Sequence, residues 1–164
     1  MLSKTMQDAL NKQLQAEYKA FYTYLSMQAY YHRQNLDGFA GWMAAQSAEE
    51  AGHAQRLFNY ILERNGEVEL HELSAPKKDW ESPIAAMQSA LEHEKKVTSM
   101  INDLFSQAVE ENDNATRIFL HWFVTEQVEE EASAGLAVEK LRRAGEDLPS
   151  LLMLDREFGA RVAE

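Results

Sequence analysis

Apolar residues recur along most of the chain at alternating steps of three and four, the spacing that lines one face of a helix. The pattern runs through residues 5–33, 38–65, 84–112 and 115–144. Stop signals bound these segments. Asn65-Gly66 and Ala144-Gly145 read as left-handed helix ends, and Asn112-Asp113-Asn114 breaks the third segment and offers a cap to the fourth. A fifth, short helix is expected next, with Asp147 or Ser150 near its start, Pro149 in its first turn, and Leu151, Leu152, Leu154 and Phe158 as apolar contacts. The connections between segments one and two and between three and four are short, so each pair should form an antiparallel hairpin. Residues 66–83 differ. Extended, they reach up to ~55 Å, more than the ~40 Å length of a 27-residue helix. A full-length crossover therefore fits, and it would set the third helix parallel to the second. The expected architecture is all-α, a four-helix bundle in one domain over residues 1–164, with a long crossover between the second and third helices.

The inward stripe of the first helix reads Leu10, Leu14, Glu17, Phe21, Tyr24, Gln28 and Tyr31, and that of the second Phe39, Met43, Gln46, Glu50, His53, Leu57 and Tyr60. The third gives Ile84, Met87, Leu91, Glu94, Thr98, Ile101, Phe105 and Ala108, and the fourth Leu120, Phe123, Gln127, Glu130, Ala134, Ala137 and Leu141. All four stripes turn polar within roughly 6 Å of the helix midpoint along the axis. Glu17, Glu50, His53, Glu94, Gln127 and Glu130 should therefore converge at one level. An unpaired buried carboxylate is normally neutralised or expelled. Two divalent cations would cancel the formal charge of the four glutamates.

Charge points the same way. A formal net charge of -11 disfavours nucleic acid, whose phosphates are bound by clustered Lys and Arg, and favours a cation. The absence of cysteine removes disulfides, thiolate zinc sites and iron-sulfur clusters, which leaves oxygen and imidazole as metal ligands. Such a ligand set with one imidazole suits iron or manganese and also admits zinc. No segment approaches the ~20 apolar residues of a membrane span, and the N-terminus lacks the pattern of a signal peptide. No membrane partner is expected, and the cytoplasm is the expected location.

An internal repeat strengthens the metal reading. The separations 94 − 17, 127 − 50 and 130 − 53 are all 77, and Glu49 and Glu126 share the offset. A Glu on one helix followed by Glu-x-x-His on the next appears in the first hairpin as Glu17 and Glu50-x-x-His53. The second hairpin carries the altered version Glu94 and Gln127-x-x-Glu130. With Glu17-Tyr18, Glu49-Glu50-Ala51-Gly52-His53, His93-Glu94 and Glu126-Gln127-Val128-Glu129-Glu130, this arrangement resembles the non-haem bacterial ferritins over essentially all of residues 1–160.

That resemblance implies the ferritin-like fold and an iron storage protein with ferroxidase activity, oxidising Fe(II) to Fe(III) with O2 or H2O2. One iron would sit on Glu17, Glu50 and His53, and Glu50 would bridge to a second on Glu94 and Glu130. Gln127 would position oxygen or a ligand. A third iron position would map onto Glu49, Glu126, Glu129 and Glu130, and Tyr24 onto a redox-active tyrosine. The ferric product would be enclosed by a homo-oligomeric shell of 24 subunits. Haem is not expected, because the position of the haem-binding Met of bacterioferritins holds Ala51. Early in the fourth helix, Arg117 and Leu120 stand where animal ferritins line an acidic entry channel.

Two other readings belong beside this one. A di-iron peroxidase of the rubrerythrin type usually carries a Cys-ligated iron module, which this chain lacks. A mini-ferritin-like protective protein holds iron between subunits, whereas the stripes here place the site inside one bundle. Exposed apolar residues of the short helix and the aromatic set Tyr30, Tyr31 and Trp42 are candidate subunit contacts. His32, His71, His93 and His121 fall off the stripes and are expected at the surface. Gln46 and Gln28 are expected to complete hydrogen bonds around the site.

Overall fold

The computed structural model describes residues 2–160 as five helices: α1 (Lys4–Arg33), α2 (Asp37–Glu63), α3 (Pro83–Glu110), α4 (Asn114–Ala144) and α5 (Leu148–Phe158). Side chains fix most of their starts. Ser3, Ser82, Asp113 and Asp147 each accept a hydrogen bond from the backbone N–H three residues on, and Pro83 and Pro149 occupy first-turn positions where no N–H is needed. The ends of α1, α2 and α3 share one device. Asn35, Asn65 and Asn112 take positive φ (56°, 57° and 56°), and paired bonds such as Gly66 N to Ile61 O and Asn65 N to Leu62 O close the last turn. At the second of these ends the left-handed residue is Asn65. Gly66 relieves crowding instead, since a Cβ there would lie a tight 3.0 Å from the Ile61 carbonyl oxygen.

Residues 64–82 run outside the bundle along α1, in its own direction. Asn11 grips them through the Glu67 carbonyl and the Glu69 N–H, both at 2.9 Å, Ser26 donates to the Lys77 carbonyl, and Arg33 to that of Lys78. The crossover thus covers the full length of α1. It delivers α3 antiparallel to α1 and parallel to α2, as expected. α1 packs on α2 and α3, α3 on α4, and α5 against the ends of α2 and α4.

The core is divided in two. One cluster, around Tyr24, Met27, Tyr31, Phe39, Trp42 and Met87, fills the end near α5; the other, around Leu10, Leu14, Leu57, Ile101, Leu120 and Phe123, fills the opposite end. Leu120 is fully buried in the second cluster, while Arg117 is exposed. Between the clusters lies a belt of buried polar residues.

The aromatic set proposed for subunit contacts is corrected by this packing. Tyr30, Tyr31 and Trp42 are all buried within the chain. Tyr30 meets Trp80 of the crossover edge-on at 5.2 Å, Tyr31 stacks on Phe39, and Phe39 and Trp42 both pack on Phe158 of α5. Segments without helical periodicity cover what the stripes alone left open. The fifth helix itself does leave Leu148, Leu152 and Met153 exposed.

Candidate metal centre

Helical spacing sets the belt at the middle of the bundle. Glu50 and His53, three apart on α2, share a face, and Glu17 reaches them from α1. His53 Nδ1 lies 3.3 Å from Glu50 Oε2 and 3.8 Å from Glu17 Oε2, and one ligand atom from each residue falls within 4.8 Å of the others. Gln13 steadies Glu17 by donating to its Oε1 at 2.7 Å. The other oxygens, Oε2 of Glu17 and of Glu50, are buried and accept no hydrogen bond. Two such carboxylate oxygens beside an imidazole fit a divalent cation well, because a cation supplies the positive charge that they lack.

Glu94 and Glu130 enter from α3 and α4. Tyr24 Oη donates to Glu94 Oε1, while Gln127 Nε2 lies 3.3 Å from Glu94 Oε2 and from Thr98 Oγ1. Gln46 donates to Glu130 Oε2 at 2.8 Å, the role expected of it. Glu126 is partly exposed and Glu129 exposed. With Glu49 and Glu130 they line a cavity of about 910 Å³ between α2 and α4, which His53 and Trp122 also border. A second tight group forms there from His53, Glu126 and Glu130, with His53 Nε2 4.0 Å from Glu126 Oε1. His53 therefore faces both groups, one nitrogen to each.

Without metal, the belt holds protons. Burial pushes the Glu50 carboxyl well above its ordinary value, and the Glu17 and Glu94 charges add to this. Glu17 is also buried, but the facing His53 and the Gln13 amide hold it below its ordinary value. Burial alone would lower His53; the flanking Glu17 and Glu50 outweigh it and raise the imidazole to about 11. Burial and then the Glu130 charge raise Glu94 to about 7 against the donors Tyr24 and Gln127. Tyr24 is pushed far up, by burial and by the Glu94 and Glu50 charges, and stays a neutral phenol. A cation binding here displaces protons.

The structure brings Glu17, Glu50, His53, Glu94, Gln127 and Glu130 together, each 5% exposed or less, with Tyr24 against Glu94. The expectation for His93 is corrected. It is half-buried, its ring lies edge-on to Tyr24 at 6.1 Å, and its Nε2 is buried without a hydrogen-bond partner. Burial lowers its pKa, Glu17 opposes this, and Lys96 and Lys19 add to the lowering. His32, His71 and His121 are exposed. Two neighbours escaped the stripes. Gln13 carried a signal, four residues before Glu17; Trp122, edge-on to His53 at 5.3 Å, carried none, since it lies beside the α4 stripe.

Comparison with known proteins agrees with this geometry. The family model for the ferritin-like domain matches residues 7–144. The bacterial non-heme ferritin of Bacteroides fragilis is 38% identical over 161 residues, 98% of this chain and all of that protein. That of Staphylococcus aureus is 38% identical over 162 residues, 99% of this chain and 98% of the relative. Among solved structures, an open pore ferritin from the hyperthermophilic archaeon Archaeoglobus fulgidus superimposes with a TM-score of 0.98 at 46% identity, covering 99% of this chain and all of that one. A matching family model, near-complete coverage by these relatives and a bundle with a split core and a carboxylate belt lead to one conclusion: the chain belongs to the ferritin family.

Proposed function

We propose that the chain oxidises Fe(II) to Fe(III) at the belt and stores the ferric product inside a homo-oligomeric shell of 24 subunits, acting as one domain over residues 1–164. Glu17, Glu50 and His53 hold the first iron, and Glu50 bridges to a second on Glu94 and Glu130, with Gln127 placing the oxidant. Glu49, Glu126, Glu129 and Glu130 form the third position. The observation that carries this reading is the meeting of Glu17, Glu50 and His53 within 4.8 Å, with two buried carboxylate oxygens otherwise unbonded.

Carboxylates favour Fe(III) over Fe(II), so two Fe(II) ions each give one electron to O2, which takes up two protons and leaves as H2O2. Peroxide as the oxidant takes two electrons and two protons to give water. Glu50, Glu94 and His53 lose protons as iron enters and can return them to the reduced oxygen. Tyr24, neutral and bonded to Glu94, is placed to supply a further electron. The acidic cavity between α2 and α4 supports passage of cations to and from His53. Ala51 argues against a haem ligand, and the cytoplasm is the compartment proposed.

The test is aerobic Fe(II) addition to the purified assembly, followed by sedimentation and an iron count. Iron well beyond the di-iron sites should sediment with the shell; retention of only about two per chain sinks storage. Glu50→Ala should abolish the fast oxidation, and an unchanged rate would place the chemistry elsewhere.

A further inference from the structure

A histidine that serves a metal must be held in one ring plane, and a hydrogen bond at its other nitrogen commonly does this. His53 has no such bond. Glu17 Oε2 and Glu50 Oε2, which its Nδ1 faces, accept no hydrogen bond, and its Nε2 lies 4.0 Å from Glu126 Oε1, too far for one. Aromatic rings hold it instead. The Trp122 and Phe123 ring centroids lie 5.3 and 6.0 Å from that of His53, their planes turned 77° and 74° from its own. Phe123 is set in the core, whereas Trp122 is half-buried and carries the Arg56 guanidinium over its ring at 4.2 Å. We infer that Trp122, clamped by Arg56, is the positioning residue that sets the plane of the His53 ring, with one nitrogen toward Glu17 and Glu50 and the other toward Glu126 and Glu130.

Helical spacing builds the clamp. His53 and Arg56, three apart on α2, share a face, and α4 brings the indole against both. Packing alone would explain a tryptophan beside a buried histidine. It would not explain Arg56. That residue lines the acidic cavity with Glu49, Glu126, Glu129 and Glu130, yet no carboxylate oxygen lies within 4.0 Å of its guanidinium among the described residues, and the indole face holds it instead. Kept on the ring, the guanidinium leaves those carboxylates open to a metal and steadies the group that touches His53.

The inference rests on the reading of Glu17, Glu50 and His53 as the first metal position. An imidazole free to turn must be ordered by the incoming cation, which weakens binding. The clamp removes that cost in advance.

Titration of the metal-free, assembled full-length protein with Co(II), followed by calorimetry and by the visible ligand-field bands of the bound ion, tests this without a redox step. Wild type should take up its first ion at one tight site per chain. Trp122→Leu should weaken that step by about tenfold or more, while Trp122→Phe, which keeps a ring beside His53, should stay within about threefold of wild type. The bands should also shift in Trp122→Leu, a change that lost stability alone does not produce. Arg56→Leu tests the sign. Removing a positive charge beside a cation site tightens binding on electrostatic grounds alone, whereas loss of the clamp weakens it, and weakening by about threefold is expected. Arg56 is exposed, so this variant should melt with wild type in chelator. An unchanged first step in Trp122→Leu, bands identical to wild type, or binding in Arg56→Leu equal to or tighter than wild type overturns the positioning role. A wild type without a tight site overturns the metal reading itself and this inference with it, so the two failures are told apart.

Discussion

Replacing Glu94 by Gln should stabilise the metal-free protein at pH 8 and leave it nearly unchanged at pH 5. The native carboxyl titrates at about 7 because burial and the Glu130 charge oppose its ionisation, against an ordinary value of 4.5. Between those values the folded chain keeps a proton that the unfolded chain has released. Stability therefore falls as pH rises through that window, and the loss is complete above it. The difference corresponds to about 3 kcal/mol at pH 8. A Gln there never ionises, so the penalty disappears. Its amide nitrogen faces Gln127 Nε2, a donor, at a cost of about 1 kcal/mol, but that cost is the same at both pH values. For a chain of this size the net gain of about 2 kcal/mol at pH 8 corresponds to roughly 4–8 °C in melting temperature. Scanning calorimetry of wild type and Glu94→Gln at matched concentration, at pH 5 and pH 8 with chelator, measures it, and comparing the two differences removes the contribution of assembly. An equal difference at both pH values would refute the reasoning, since it would mean that Glu94 ionises freely in the fold. Adding a divalent cation should reverse the ranking, as the wild type gains a ligand that the variant lacks.

Other changes have defined outcomes. Tyr24→Phe keeps the ring but deletes the donor to Glu94; it should cost about 1 kcal/mol and remove any transient tyrosyl radical in freeze-quench spectra after Fe(II) and O2 are mixed, and a radical of undiminished size would clear Tyr24 of the role. Gly38→Ala should lower the melting temperature by several degrees and loosen α5, because its Cβ would lie 1.6 Å from the Asp155 carbonyl oxygen, while Asp155 also accepts from the Phe39 N–H. Gly41→Ala, with nothing within 4 Å, should raise it through helix propensity worth about 1 kcal/mol, and identical shifts for the two variants would contradict the docking described for α5.

Much of this was legible in the sequence. The helix limits read from periodicity and caps fall within two residues of those observed, because Ser, Asp, Asn and Pro act locally at the termini. The belt was legible too, since a charged residue on an apolar stripe is costly and Glu17, Glu50, Glu94 and Glu130 all break theirs at one level. Tyr30 and Trp42 were misplaced because their cover, Trp80 and Phe158, comes from a crossover and a short helix whose docking follows no periodic rule. His93 was misread for a related reason: it lies one residue off the stripe, where α1 and the crossover close over the edge of α3. The sharing of His53 between two acidic groups depends on ring orientation, which spacing does not encode.

The crossover also joins two hairpins whose own contacts are local in sequence. Each hairpin closes through contacts between sequence neighbours, the fast class of folding step. Neither hairpin completes the core alone, and the segment of residues 64–82 that joins them lies along α1. Packing the two hairpins together sets Glu17 and Glu50 against Glu94 and Glu130, so like charges oppose that contact and do so more strongly as the carboxyls lose protons. The same repulsion favours a cation in the finished waist, and in the absence of one the protons held on Glu50 and Glu94 relieve part of it. A divalent cation taken up at the waist would tie the two hairpins together, since its ligands come from both.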